Sequence, residues 1–179
     1  GSIPKWGPNK ELIGITYAKM TSLFGQIQSL VKKGLPLEQA LCFVTQNVAQ
    51  ALEPVLTNIG FRCVVMDDRP DFADKALFPS AEDVKLIDFE HIYDYIEIGP
   101  EDYVCVMTRG HAYDTIVQAQ ALRTPACYIG VIGSKAKTAG VQRILRGEGF
   151  TDEDFKRITT PIGLDIKAET PAEIAISIA

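Results

Sequence analysis

Short apolar runs alternate with amphipathic segments along most of the chain. Between residues 103 and 149, the runs YVCVM and CYIGVIG are each followed by a polar turn and then by a segment with helical spacing. These runs are rich in β-branched and aromatic residues and too short for buried helices, which is typical of parallel strands covered on both faces. The pattern predicts a β-α-β-α repeat at the centre of an α/β fold.

The segments on either side of this repeat continue the alternation. Strands are predicted at Glu11–Tyr17, Phe61–Met66 and Asp83–Ile87. Helices are predicted at Thr21–Lys33, from Pro36 to Gly60 with room for a break near Thr45, at Phe89–Tyr95, after Thr151 and after Thr170. The run LCFV at 41–44 could form a strand instead, but no turn residues follow it, and the helix is favoured.

Together these elements predict one domain over residues 1–179, a three-layer Rossmann-like parallel sheet with helices on both faces. The strands Phe61–Met66, Tyr103–Met107 and Cys127–Ile132 are expected to be parallel within it. Glu11–Tyr17 is expected to complete the sheet, which makes the first βα unit atypical. In such sheets ligands bind outside the carboxyl ends of the strands, and a binding site is expected there.

The turn after Tyr103–Met107 carries a first group of candidate binding residues. Gly110 allows a tight turn, Arg109 offers a bidentate fork for an anion, and His111 titrates near neutral pH. Asp114 lies near the start of the next helix. These residues could hold a phosphate or a pterin, or they could form only a capped turn between a strand and a helix.

The turn after Cys127–Ile132 carries a second group. Gly133 precedes a helix for which Ser134 is the predicted N-cap, so free N–H groups and the helix dipole favour an anion, and Lys135 adds positive charge. The pattern is not a Walker loop and is weak by itself. The two turns are expected to form one electropositive pocket for a small anionic ligand.

An acidic pair, Asp67 and Asp68, follows Phe61–Met66. A carboxylate at the end of the second Rossmann strand can accept hydrogen bonds from ribose hydroxyls. The glycine turn that brings backbone N–H groups to a pyrophosphate is missing, however, and the pair could equally be turn and capping residues. No catalytic residue and no metal site is predicted.

Composition narrows the class of partner. The 179 residues carry a net charge of -5, which argues against nucleic acid because phosphate binding needs a concentrated positive face. No apolar run approaches the roughly 20 residues that span a bilayer, so no membrane partner is expected. The cysteines Cys42, Cys63, Cys105 and Cys127 lie in apolar runs without metal-ligand spacing. They are expected to be buried, reduced thiols, as in a cytoplasmic protein.

Four motifs between Ala51 and Ala179 resemble the C-terminal Rossmann-like domain of the XdhC/CoxI family: MDDRPDFAD, VMTRGHAYD, YIGVIGSKAK and PIGLDIKAETPAEIAISIA. Members of this family are accessory proteins for xanthine dehydrogenase and related molybdenum hydroxylases. The resemblance implies a non-enzymatic domain that binds the molybdenum cofactor (molybdopterin), shelters it during sulfuration by a sulfurase, and delivers it to the hydroxylase. It leaves a homodimer open.

The first fifty residues resemble a different family. In XdhC-like domains a strand and a Gly-rich turn precede the helix, whereas Val44, Thr45 and Gln46 stand here at the turn, so NAD(P) binding is not expected. The segment LVKKGLPLEQALCFVTQNVAQAL is similar to the end of an amidohydrolase barrel of the isoaspartyl-dipeptidase kind. The catalytic residues of that barrel have no counterpart, so hydrolase activity is not expected. The simplest account is a chimera joined near Val48 to Ala51.

Two other functional hypotheses stay open. The fold alone suggests an NAD(P)-binding domain like those of oxidoreductases, although the absence of a GxGxxG turn disfavours it. The second hypothesis is a folded chimera that retains no function.

Overall fold

The computed structural model describes residues 32–34, 37–108, 110–133 and 135–179, with the backbone alone at residues 37–45, 110–112 and 135–136. The strand predicted at Glu11–Tyr17 lies outside the described residues, as does nearly all of the helix predicted at Thr21–Lys33.

Helices and strands alternate through the described chain. In order they are helix α1 (Leu37–Asn58), strand β1 (Val64–Asp67), a 3-10 turn (Lys75–Leu77), β2 (Asp83–Leu86), a 3-10 helix (Phe89–Asp94), β3 (Tyr103–Val106), α2 (Gly110–Arg123), β4 (Tyr128–Val131), α3 (Lys135–Gly147), α4 (Asp152–Phe155), β5 (Ile158–Thr159) and α5 (Pro171–Ile178). The α/β class is confirmed. The alternative strand at 41–44 is wrong, because α1 continues without a break through those residues and through Thr45.

All the strand pairings are parallel, as predicted, but the described strands form two sheets. Strand β1 pairs with β2, and β3, β4 and β5 form a second sheet in that order. The prediction of one continuous sheet through β1, β3 and β4 is therefore wrong for the described residues. The physical reason is that β1 and β3 face each other without a hydrogen-bonded strand between them.

The two faces of the second sheet differ in how well they are covered. Because side chains alternate along a strand, Val106 and its neighbour Val131 lie on one face, and both belong to the main hydrophobic core together with Val117 of α2 and Leu145 of α3. The opposite face carries Gly130, which lies against Ile162. Helix α2 packs on the core face, and α1 packs against α5.

The last helix begins at a capping box. The Thr170 side chain accepts a hydrogen bond from the Glu173 N–H, and the Glu173 carboxylate accepts one from the Thr170 N–H at 2.9 Å and one from the Glu169 N–H at 2.8 Å. These backbone hydrogen bonds hold the pKa of Glu173 below its ordinary value. Since the first N–H groups of a helix have no partner within the helix, this box fixes where α5 starts.

We expect Thr170→Ala to lower the free energy of unfolding by about 1 kcal/mol, because the cap acceptor is lost. Thr170→Ser keeps the hydroxyl and serves as the matched control, with a smaller loss. Urea unfolding followed by circular dichroism measures both. Equal losses for the two variants would mean that the methyl group, rather than the cap, carries the effect.

Candidate functional site

The carboxyl ends of β3 and β4 lie side by side. The Ile132 N–H donates to the Val106 carbonyl oxygen at 3.0 Å, immediately before α2 begins at Gly110 and α3 begins at Lys135. The turns Thr108–Asp114 and Gly133–Lys137 therefore leave the same edge of the sheet. The backbone arrangement that the anion site requires is present.

Several of the side chains predicted for that site are not part of the described structure. Arg109 and Ser134 lie outside the described residues, and at His111 and Lys135 only the backbone is described. Their convergence into one pocket stays a prediction. Gly133 leaves space beside the Lys137 side chain, since a methyl group placed there would meet Lys137 Cδ at 3.4 Å, an ordinary contact distance.

Asp114 is the most deeply buried charged residue predicted for the site, with 1% of its surface exposed. Its Oδ1 accepts a hydrogen bond from Thr108 Oγ1 at 2.6 Å, and its Oδ2 forms an ion pair with Lys137 Nζ. This carboxylate therefore joins the end of β3 to the first turns of α2 and α3. Its protein partners suit a brace that positions the two turns better than a group that contacts a ligand.

The acidic pair after β1 is also engaged by the protein. The Arg69 guanidinium donates to both carboxylate oxygens of Asp67 at 2.8 Å, and the Arg69 N–H donates to Asp67 Oδ1 at 3.0 Å. Arg69 also lies 3.8 Å from Asp68 and stacks over the Phe72 ring at 3.6 Å. A bidentate pair of this kind holds the turn in place. A ribose hydroxyl would have to compete with Arg69 for the Asp67 oxygens.

A cleft separates the two sheets. This inter-sheet cleft has a volume of ≈ 1000 Å³, and its walls include Val64 and Met66 of β1, and Tyr103 and Cys105 of β3. It reaches the carboxyl-end edge, where Asp67, Asp68, Arg69 and Thr108 line it. The cleft therefore connects the gap between the strands with the predicted ligand-binding edge.

The expectation that the cysteines are buried is wrong for two of them. Cys105 and Cys127 are exposed, and Cys63 is half-buried; all three are free thiols. Cys105 alternates with Val106 and so faces away from the core, towards the cleft. Protein nevertheless surrounds most of this thiol, and the resulting desolvation raises the pKa of Cys105 to about 11. Desolvation also raises the pKa of Cys63. Both thiols are protonated at neutral pH, which makes them weak nucleophiles.

Within the described part of the chain, no group of three or more histidine, cysteine, aspartate or glutamate side chains could hold a metal ion. None of the helices in that part is both long and apolar enough to cross a bilayer.

Sequence reasoning left out three residues that the structure places at the site. Lys137 neutralises Asp114, Arg69 holds Asp67, and Glu53 of α1 lines the cleft with 4% of its surface exposed. The short separation of Arg69 from Asp67 in the sequence was a usable signal for the second pair. No pattern in the sequence signals the other two, because each depends on the packing of separate elements.

Comparison with known proteins gives a consistent set of similarities. Residues 41–179 match the family model described as the XdhC Rossmann domain. A protein of Bacillus subtilis (strain 168) described as a probable xanthine dehydrogenase component is 29% identical over 127 residues, which cover 71% of this chain and 36% of that protein. The uncharacterized protein YqeB of Escherichia coli (strain K12) is 27% identical over 133 residues, which cover 74% of this chain and 24% of that protein.

A solved structure shows the same similarity in three dimensions. The crystal structure of a xanthine dehydrogenase from Bacillus halodurans superposes with a TM-score of 0.63 at 33% identity, covering 75% of this chain and 38% of that chain. The chain thus spans between about a quarter and two fifths of the length of these relatives. The family match begins at residue 41, ahead of the junction predicted near Val48 to Ala51. The amidohydrolase-like segment and the chimera stay predictions.

Proposed function

We propose that this chain, which belongs to the family of XdhC Rossmann domains, is an accessory domain that binds the molybdenum cofactor for a hydroxylase such as xanthine dehydrogenase. The match of the family model to residues 41–179 is the observation that carries the proposal. Two of the similar proteins bear the words xanthine dehydrogenase in their names, which supports a molybdenum hydroxylase as the partner. The sulfurase contact and the cytoplasmic location implied by the resemblance belong to the same proposal.

The shape of the carboxyl-end edge fits an anionic pterin. Two helices, α2 and α3, begin side by side at this edge, and their first N–H groups have no partners within the helices. Such helix starts favour a phosphate group, because the N–H groups and the helix dipoles point towards it. The inter-sheet cleft opens at the same edge and has a volume of ≈ 1000 Å³, within the range of pockets that enclose ligands of this size.

The residues of the edge divide into two roles in this proposal. Arg109, His111, Ser134 and Lys135 contact the ligand, with Gly110 and Gly133 allowing the backbone to approach it. Asp67, Asp68 and Asp114 contribute by shaping the two walls. The last three are assigned differently because Arg69 holds Asp67 and approaches Asp68, while Thr108 and Lys137 hold Asp114.

When bound, the cofactor supplies the redox chemistry of the hydroxylase, and the domain itself supplies binding. Positive charge from Arg109 and Lys135 would hold the phosphate. The pKa values of Cys63 and Cys105 are raised by burial, so these thiols are poor reactants at neutral pH and leave a bound pterin intact. A holding role therefore fits the cleft better than a catalytic one.

We expect the double variant Arg109→Ala/Lys135→Ala to bind molybdopterin at least about tenfold more weakly than the parent in low salt, because each charge-assisted contact is worth about 1.5–3 kcal/mol. Titration calorimetry with the full chain measures this. The charge-matched control is Arg62→Ala/Lys156→Ala, since both side chains are largely exposed and distant from the edge in the sequence. Equal affinity in all three proteins would refute the assignment of Arg109 and Lys135.

The same titration with NAD(P) tests the alternative function. Because α1 runs without interruption through residues 44–46, no glycine turn can present bare backbone to a pyrophosphate. We expect NAD(P) to bind no tighter than millimolar, which corresponds to about -4 kcal/mol. Micromolar binding would favour the oxidoreductase-like alternative over the accessory domain.

A further inference from the structure

The backbone groups that face the inter-sheet cleft come from the unpaired edges of two strands. In β1 the carbonyl oxygens of Cys63 and Asp67 accept hydrogen bonds from the β2 side. Since the N–H and C=O groups of successive residues point to opposite sides of a strand, those of Val64 and Met66 point away from β2, into the cleft.

The edge of β3 is arranged in the same way. The carbonyl oxygens of Asp102 and Val106 accept hydrogen bonds from the β4 side. The N–H and C=O groups of Tyr103 and Cys105 therefore point away from β4, towards β1. No backbone hydrogen bond joins β1 to β3 in the described part of the chain. Two ladders of unpaired polar groups thus face each other across the cleft.

Such an arrangement is costly unless it is filled. Buried backbone N–H and C=O groups are nearly always paired, and an open strand edge is a template for another strand. Glu53 adds a second unpaired group to the same cleft, because its Oε1 atom is buried without a hydrogen-bond partner among the described residues. An occupant that carries backbone donors and acceptors on both sides satisfies the two edges together.

We propose that the segment Glu11–Tyr17 of this chain inserts between β1 and β3 as a parallel strand and joins the two sheets into one. The segment lies outside the described residues, and the proposal is independent of the proposed function. Once the slot is filled, the sheet has six strands in the order β2-β1-Glu11–Tyr17-β3-β4-β5.

The connectivity favours this segment over a strand from another molecule. Helix α1 leads directly into β1, so a strand preceding α1 and lying beside β1 completes a β-α-β crossover of the usual kind. Nineteen residues, 18–36, separate Glu11–Tyr17 from α1. An extended chain of that length spans up to about 60 Å, which is ample for the connection.

The composition of the segment also suits the position. A strand between two others in a parallel sheet is covered on both faces and is therefore apolar on both. Leu12, Ile13 and Ile15 supply apolar side chains to both faces, since residues 12 and 13 alternate. Among residues 1–31 no other run combines β-branched residues in this way without helical spacing.

Amide hydrogen exchange measured by NMR on the full chain tests the proposal. In the parent, the amides of Val64, Met66, Tyr103 and Cys105 should exchange slowly, because each has a partner. Ile13→Pro removes a backbone donor from the middle of the inserted strand, and these four amides should then exchange at least about tenfold faster. Asn9→Pro, outside the segment, is the matched control and should leave them slow.

The amides of Val65 and Val104, which point to β2 and β4, report whether the fold survives each substitution. If they lose protection too, nuclear Overhauser contacts in the parent between the Val64 or Met66 amide protons and backbone protons of Glu11–Tyr17 decide the matter. The proposal is overturned if those contacts are absent, if the four amides already exchange rapidly in the parent, or if their protection survives Ile13→Pro. Protection that rises with protein concentration would instead identify a second copy as the occupant.

Discussion

Lys137→Met lowers the free energy of unfolding by about 3 kcal/mol at neutral pH, because it leaves the Asp114 carboxylate charged and buried without its counter-ion. The side chain of Asp114 is 1% exposed and that of Lys137 is 26% exposed. The hydrogen bond from Thr108 Oγ1 remains but does not neutralise the charge. Urea unfolding at neutral pH and fixed salt measures the loss.

Two further variants separate this buried pair from ordinary surface charge. Lys156→Met removes a lysine that pairs with Glu153 while both side chains are largely exposed, at 69% and 79%, and it should cost less than about 1 kcal/mol. Asp114→Asn in the Lys137→Met background removes the stranded charge and should recover part of the loss. If Lys137→Met costs no more than Lys156→Met, the brace between α2 and α3 is not energetically important.

Gly130→Ala lowers the free energy of unfolding by about 1–3 kcal/mol, because the added methyl group overpacks the sheet face. A Cβ atom at this position would lie 2.5 Å from Ile162 Cδ1 and 2.7 Å from Tyr128 Cε1. Gly130 is in the middle of β4, where backbone shifts are restrained by β3 and β5 on either side. Its glycine therefore serves close packing in this structure.

The control for this variant is a glycine with open space around it. Gly140 lies inside α3, where a Cβ atom would have no neighbour within 4 Å, so Gly140→Ala should stabilise the protein by about 0.5–1 kcal/mol. Ile162→Ala combined with Gly130→Ala should cost less than the sum of the two single changes, since it vacates the contested space. Simple additivity would show that Ile162 is not the obstacle.

Periodicity was sufficient for the elements of the fold. The alternation of apolar runs and helical spacing located β1, β2, β3 and β4 to within three residues at each end, and the long helix from Leu37 to Asn58. Turn and cap chemistry located the starts of α4 and α5, because Thr151 and Thr170 carry the acceptor that a first helical turn requires. These features depend on neighbours in the sequence, and local patterns report them.

The short strand β5 shows where that reasoning stops. Ile158–Thr159 is two residues long and lies in a polar stretch before Pro161, so no periodic signal exists. Its pairing with Ile129 and Gly130 arises only when the chain returns to the edge of β4. The carboxyl-end edge was predictable in the same partial way. Parallel pairing of β3 with β4 was expected, and it brings the turns that contain Gly110 and Gly133 to one side.

The sequence by itself thus determined the order and type of the elements, the parallel sense of the strands and the resemblance to the XdhC Rossmann domain, since these follow from local spacing and from motifs. Tertiary structure alone decided that Asp114 is neutralised by Lys137, that Cys105 faces a cleft, and that β1 and β3 do not pair. Each of these depends on which elements meet across the fold. A charge or a strand edge acquires its role from its partner, and that partner is far away in the sequence.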